Sequence, residues 1–174
     1  MKTLCKILVL CLLCAVLFCG CNDKPAESEP DYSALILPPV DLSIVDCITA
    51  EELTAIMGSP MQLLGVFEDN SQAVFTSEDG RHVATVNMKN QTSAGFEAEK
   101  NASLFSTTLQ DGVGEMAYWC EDTETDNVWL EFYSGGYAVT VGVTCPETDD
   151  QAHSTYIKQI AEKILGKLPT DTQN

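Results

Sequence analysis

The sequence predicts an α+β domain, a bent antiparallel sheet with two or three helices packed on it, one of them a long C-terminal amphipathic helix. Three observations predict it. Thr49-Ala50-Glu51-Glu52 has the form of a capping box that opens a helix. Residues 115–145 read as a strand meander whose apolar positions fall into cross-strand register. Residues 152–168 carry an apolar stripe at helical spacing.

The first helix has signals at both ends. Ile48 before the cap and Leu53 after the first turn form the matching hydrophobic staple. Leu53, Ile56 and Met57 make its buried side, Gly58 permits a left-handed stop, and Pro60 prevents resumption. Strands are expected over Met61–Phe67, Gln72–Ser77 and His82–Lys89, with Asp79-Gly80 as a hairpin signal between the last two. A second helix is expected over Ser93–Phe105, with Ala94, Ala98, Ala102 and Phe105 on one stripe.

Gly112-Val113-Gly114 breaks the chain before a three-stranded meander. Ser134-Gly135-Gly136-Tyr137 reads as a two-residue hairpin, which pairs Phe132 with Val139, Leu130 with Val141 and Val128 with Val143 on one apolar face. The preceding strand is expected to add Met116, Tyr118 and Cys120 to that face, while Trp129, Glu131 and Tyr133 point the other way. In the last helix Thr148-Asp149-Asp150-Gln151 is the cap. Ala152, Tyr156, Ile157, Ile160, Ala161, Ile164, Leu165 and Leu168 form the apolar face. Lys158, Lys163 and Lys167 lie toward the negative end of the helix dipole, and Gly166 and Pro169 end it.

The front of the chain reads differently. Lys2 and Lys6 precede the apolar run Ile7–Phe18, which is shorter than the roughly 20 residues a membrane span needs. It ends in Leu17-Phe18-Cys19-Gly20-Cys21, which resembles a bacterial lipobox, with Gly20 as the small residue before an acylated Cys21. Residues 1–20 are thus expected to be a lipoprotein signal peptide, 21–39 a lipidated cysteine and tether, 40–169 a single domain, and 170–174 a tail. A diacylglyceryl group supplies two acyl chains, which anchor where one holds weakly. Pro25, Pro30, Pro38 and Pro39 among Glu27, Ser28, Glu29 and Asp31 suit an extended spacer, which could reach up to ~60 Å from the membrane.

Beyond Cys21 the chain holds 26 acidic and seven basic residues, a net charge of −19. Such a field repels nucleic acid, which is therefore not an expected partner. Cys47, Cys120 and Cys145 remain after the leader is removed, and one disulfide plus one buried thiol is the simplest arrangement outside the cytoplasm. The meander puts Cys120 and Cys145 two strands apart, roughly 10 Å, beyond the ~7 Å that a disulfide tolerates. Cys47 is then the expected partner, with Cys145 favoured over Cys120.

Cys47-Ile48-Thr49-Ala50-Glu51-Glu52-Leu53, followed by Ile56-Met57-Gly58, resembles the opening of small cell-envelope lipoprotein domains related to the extracellular sensor domain of actinobacterial serine/threonine kinases. Gly112-Val113-Gly114-Glu115-Met116-Ala117-Tyr118 is similar to the segment before their last sheet portion, and Ile160–Leu165 to their closing helix. The resemblance spans residues 47–168 and implies helices on a bent antiparallel sheet, an extracytoplasmic sensing or binding role, and no enzyme activity. This chain has Ala73-Val74-Phe75 where those domains often place a second cysteine before a tryptophan, so neither their disulfide nor any binding residue carries over.

No nucleophile elbow, zinc-protease or phosphate-loop motif occurs, and no cofactor or metal is expected. His82 and His153 read as surface histidines. Glu121-Asp122-Thr123-Glu124-Thr125-Asp126 reads as a solvated turn. Calcium is its minor alternative, since Asn127 and Tyr133 stand where an EF-hand loop from Asp122 needs Gly and Glu. Trp119, Trp129 and Tyr133, expected on the face opposite the core, are the candidate ligand-binding surface; the alternative is a second core layer under a helix. The reading is a lipid-anchored domain at the extracytoplasmic face of the cell membrane, binding an envelope protein, peptide or small ligand without catalysis. The alternatives are an envelope hydrolase whose carboxylates the fold assembles, or a purely structural envelope component.

Overall fold

The computed structural model describes residues 41–146 and 150–169. The chain divides into two units, Met1–Ile36 and Leu37–Asn174, and every described residue belongs to the second. The expected leader, the acylated Cys21, the tether, the Thr148-Asp149 cap and the tail 170–174 lie outside the described residues.

Short α1 (Ile44–Cys47) leads into α2 (Ala50–Met57), followed by β1 (Met61–Phe67), β2 (Gln72–Ser77) and β3 (Val83–Asn90). Next come α3 (Ser93–Asn101), β4 (Ser106–Leu109), β5 (Met116–Asp122), β6 (Asn127–Ser134), β7 (Tyr137–Thr144) and α4 (Asp150–Leu165). The strands form one antiparallel sheet in the order β1-β2-β3-β7-β6-β5-β4. The expected α+β class is the observed one.

The order explains the layering. Two antiparallel meanders, β1–β3 and β4–β7, join where β3 pairs β7 from Val83↔Thr144 to Asn90↔Tyr137. The connection from β3 at mid-sheet to β4 at the edge must cross β7, β6 and β5, and α3 lies in that crossing. Helices α1, α2 and α4 cover the first face, where Phe75, Val86, Leu130, Phe132 and Val141 bury against Leu53, Ile160 and Ile164. Helix α3 covers part of the second face with Phe96, which packs on Tyr133, Ala138, Met116 and Tyr118.

Local signals place most elements where the sequence puts them. Thr49 Oγ1 accepts from the Glu52 amide at 3.2 Å and Glu52 Oε2 accepts from the Thr49 amide at 3.0 Å, completing the capping box. Gly58 adopts φ +68°, the left-handed stop. Gly135 and Gly136 both have positive φ, and the hairpin pairs Phe132↔Val139 and Leu130↔Val141 as expected.

Three expectations fail. Helix α3 ends at Asn101 rather than Phe105, and its docking residue is Phe96; Ala94, Ala98, Ala102 and Phe105 are exposed. The freed segment forms β4, so the second meander has four strands. The faces of β5 are also the reverse of those expected. A four-residue loop joins Asp122 to its partner Asn127, with Asp126 at φ +56°, so residues paired across β5 and β6 sum to an odd number. Even-numbered Leu130 and Phe132 therefore face odd-numbered Trp119 and Ala117, and Met116, Tyr118 and Cys120 turn to the second face.

One ion pair closes the domain end to end. Lys167 Nζ, just past α4, donates to Glu52 Oε2 at 2.7 Å, tying the start of α2 to the end of the last helix. The Lys167 hydrogen bond, and the Thr49 bonds after it, hold the Glu52 carboxyl below its ordinary value of 4.5. A depressed acid stabilises the fold above its unfolded pKa and loses that contribution as pH falls through the folded one. Glu52→Gln should therefore lower urea stability at pH 7, and the deficit against the parent should shrink below pH 4.5. Urea melts of both proteins at pH 7 and pH 3 read this directly.

Candidate functional site

The reversed parity of β5 separates the residues expected to form one binding surface. Trp119 lies on the first face, packed against the main core, whereas Trp129 and Tyr133 lie on the second. The three do not share a face, and the surface expected from them does not exist.

On the second face Tyr133 is buried beneath α3, its ring 6.0 Å from that of Phe96. Trp129 stacks edge-on with Phe105 at 4.9 Å and donates from Nε1 to Glu131 Oε1 at 2.7 Å. Glu131 also accepts from Lys100 Nζ, whose side chain is only 8% exposed, and from the Cys120 thiol at 3.5 Å. These residues form a second core layer around a paired charge, which accounts for both aromatics without a ligand. A shallow groove of about 220 Å³ beside them has Asn87, Thr140 and Glu131 on its floor, but Glu131 is already occupied by its own partners.

Cys120 does not share a face with Cys145. Cys120 packs on the second face beside Glu131, while Cys145 belongs to the first-face core together with Cys47. All three are buried thiols, so the expected Cys47–Cys145 bridge is not present in this structure. Burial first, then the Glu131 carboxylate, pushes the Cys120 thiol up to about 12; burial pushes Cys47 up to about 11. Neither holds the thiolate that nucleophilic chemistry needs at neutral pH.

A second and wider opening lies on the first face, at the end of the sheet away from the Gly135-Gly136 hairpin. It is a cleft of about 430 Å³ between the first two turns of α4 and the ends of β5, β6 and β7, within the range of small-ligand sites. Trp119 forms one wall, with its Nε1 fixed by Gln110 Oε1 at 2.9 Å. Val128, Val143 and Ile157 supply the apolar lining, and Glu121 and Asp126 stand at the mouth. His153 enters from α4 with a buried Nε2 that has no hydrogen-bond partner among the described residues. It is half-buried, not the surface histidine expected. A ring nitrogen sealed from water and left unpaired costs free energy.

The acidic turn beside the cleft spends part of its charge on itself. Asp122 accepts from the Thr125 hydroxyl at 2.7 Å and the Glu124 amide at 3.0 Å. Those bonds, the hydroxyl first, favour the carboxylate and hold the Asp122 pKa below its ordinary value. Among the described residues no group of three acidic, histidine or cysteine side chains is arranged to hold a metal.

Trp119 was legible as a candidate; His153 was missed, because one histidine in the first turn of an amphipathic helix carries no signal of what the sheet brings to it. No family model, curated protein or solved structure matches the chain.

The second-face charge pair has a measurable signature. Glu131→Gln leaves the buried Lys100 ammonium without its counter-charge and should cost about 2–3 kcal/mol, somewhat less than a fully buried pair. Adding Lys100→Met should restore more than half of that loss, as chemical denaturation of the single and double variants would show.

Proposed function

We propose that this protein is a lipid-anchored recognition domain at the extracytoplasmic face of a cell membrane, taking a small ligand or the end of a peptide in the Trp119–His153 cleft. The observation that carries it is the cleft itself: about 430 Å³ of opening with Trp119 as an aromatic wall and Val128, Val143 and Ile157 as apolar lining. Such a combination, an apolar recess with a few fixed polar groups, is what small-ligand sites offer.

The anchor rests on the sequence. Lys2, Lys6, the apolar run to Phe18 and Gly20-Cys21 make a leader and an acylation site, and the following prolines make a spacer. Among the described residues no helix is long and apolar enough to cross a membrane. Recognition is favoured over hydrolysis by the acid–base inventory. The carboxylates whose acidity is displaced, Glu52, Asp79, Glu99 and Asp122, all move toward the ionised form, and none lines the cleft. A general acid needs the opposite shift.

Two experiments test the halves separately. Cys21→Ser should move the protein from the membrane fraction to the soluble extracytoplasmic fraction, and the parent's N-terminal fragment should carry a diacylglyceryl mass. Ser154→Phe places a ring in the cleft from α4. Compounds that raise the melting temperature of the parent should lose that effect in Ser154→Phe and keep it in Trp129→Phe; the reverse pattern would move the site to the second face.

A further inference from the structure

The ligand class can be taken one step further, on the reading that the Trp119–His153 cleft is the binding site. From Asn101 to Ile157 the chain holds ten Asp and Glu residues and no Lys or Arg. This stretch supplies β4 to β7 and the opening turns of α4, so the cleft is built almost wholly from the part of the domain that lacks cationic side chains. Glu121 and Asp126 stand at its mouth. Among the described residues neither forms an ion pair, whereas Glu52, Glu99 and Glu131 are each matched by a lysine.

A lysine outside the cleft lining shows that the Trp119 ring can take an ammonium beside it. Lys158 Nζ sits 5.9 Å from the centroid of the Trp119 ring, within reach of the attraction between an ammonium and the negative face of an indole. Apolar lining from Val128, Val143 and Ile157 asks for a hydrocarbon body behind the charge.

We propose that the cleft selects an organic cation with an apolar body, an alkyl- or arylalkylammonium group such as an amine or a lysine-like side chain presents. The body fills the space along Trp119 and Ile157, and the ammonium remains at the mouth between Glu121 and Asp126. Water-exposed carboxylates at a rim discriminate by sign and raise the encounter rate more than they add affinity.

The test uses three probes with one body and different heads: 4-phenylbutylamine, 4-phenylbutanol and 4-phenylbutyrate. Trp129→Phe keeps a ring against Phe105 and leaves Trp119 as the sole tryptophan of the full chain, since the sequence has two. Its emission then reports the cleft alone. The amine should saturate the Trp119 signal about tenfold or more tighter than the butyrate at physiological salt. Adding Glu121→Gln and Asp126→Asn should reduce that preference several-fold while circular dichroism stays unchanged. If the alcohol or the acid binds as well as the amine, the charge class is wrong and the cleft reading stands. If none of the three moves Trp119, both fall. An amine preference untouched by the two neutralised carboxylates would reduce the effect to the general acidity of the protein and overturn the proposal.

Discussion

The two-residue turn at Gly135-Gly136 is where both layers of this domain are tied to the sheet. Both residues take positive φ, which sets the twist that β6 and β7 need to pair without splaying. A Cβ at Gly135 would lie 2.0 Å from the Pro169 carbonyl oxygen, so the chain leaving α4 closes against the turn on a surface only glycine provides. The Gly136 carbonyl accepts from the Gln91 amide at 2.9 Å, anchoring the approach to α3 on the other face. Glu115 Oε1 takes the Gly135 amide at 2.9 Å and fixes the entry to β5. One turn thus sets the register of the central pair and holds the segments leading to both faces.

From that register the alternation of side chains follows, and with it the site. Leu130, Phe132, Val139 and Val141 go under α4, and Glu131 and Tyr133 go under α3. The next loop then decides the fate of the tryptophans. Four residues between Asp122 and Asn127 put Trp119 beside Leu130, while Trp129 stays opposite Cys120 on the far face. One residue more or fewer would exchange them, because a sheet alternates with period two. The cleft therefore depends on a loop length rather than on any residue that lines it.

Much of this was legible in the chain. Capping and left-handed stop residues around α2, the Gly-Gly hairpin and the stripe of α4 are local signals, and each element stands where its signal lies. What was not legible depended on tertiary choice. Over Ser93–Phe105 the sequence reading followed the stripe of Ala94, Ala98, Ala102 and Phe105, yet it is Phe96 that buries, and one phenyl ring removes more apolar surface than a methyl group does. The β5–β6 loop carried no glycine to mark its length, since Asp126 takes the positive φ there. The polar cluster of Lys100, Glu131, Trp129 and Cys120 unites residues up to 31 apart in sequence, for which no spacing rule exists. His153 belongs with these: its role is set by what the sheet presents to it.

The central claim is that the two tryptophans occupy opposite faces and that only Trp119 looks into the cleft beneath α4. Nuclear Overhauser contacts from each indole ring test this most directly. Ring protons of Trp119 should show contacts to Ile157 and to the Lys158 side chain, and those of Trp129 to Phe105. Contacts between the Trp119 ring and Phe96 or Phe105 would place both indoles on one face and contradict the account.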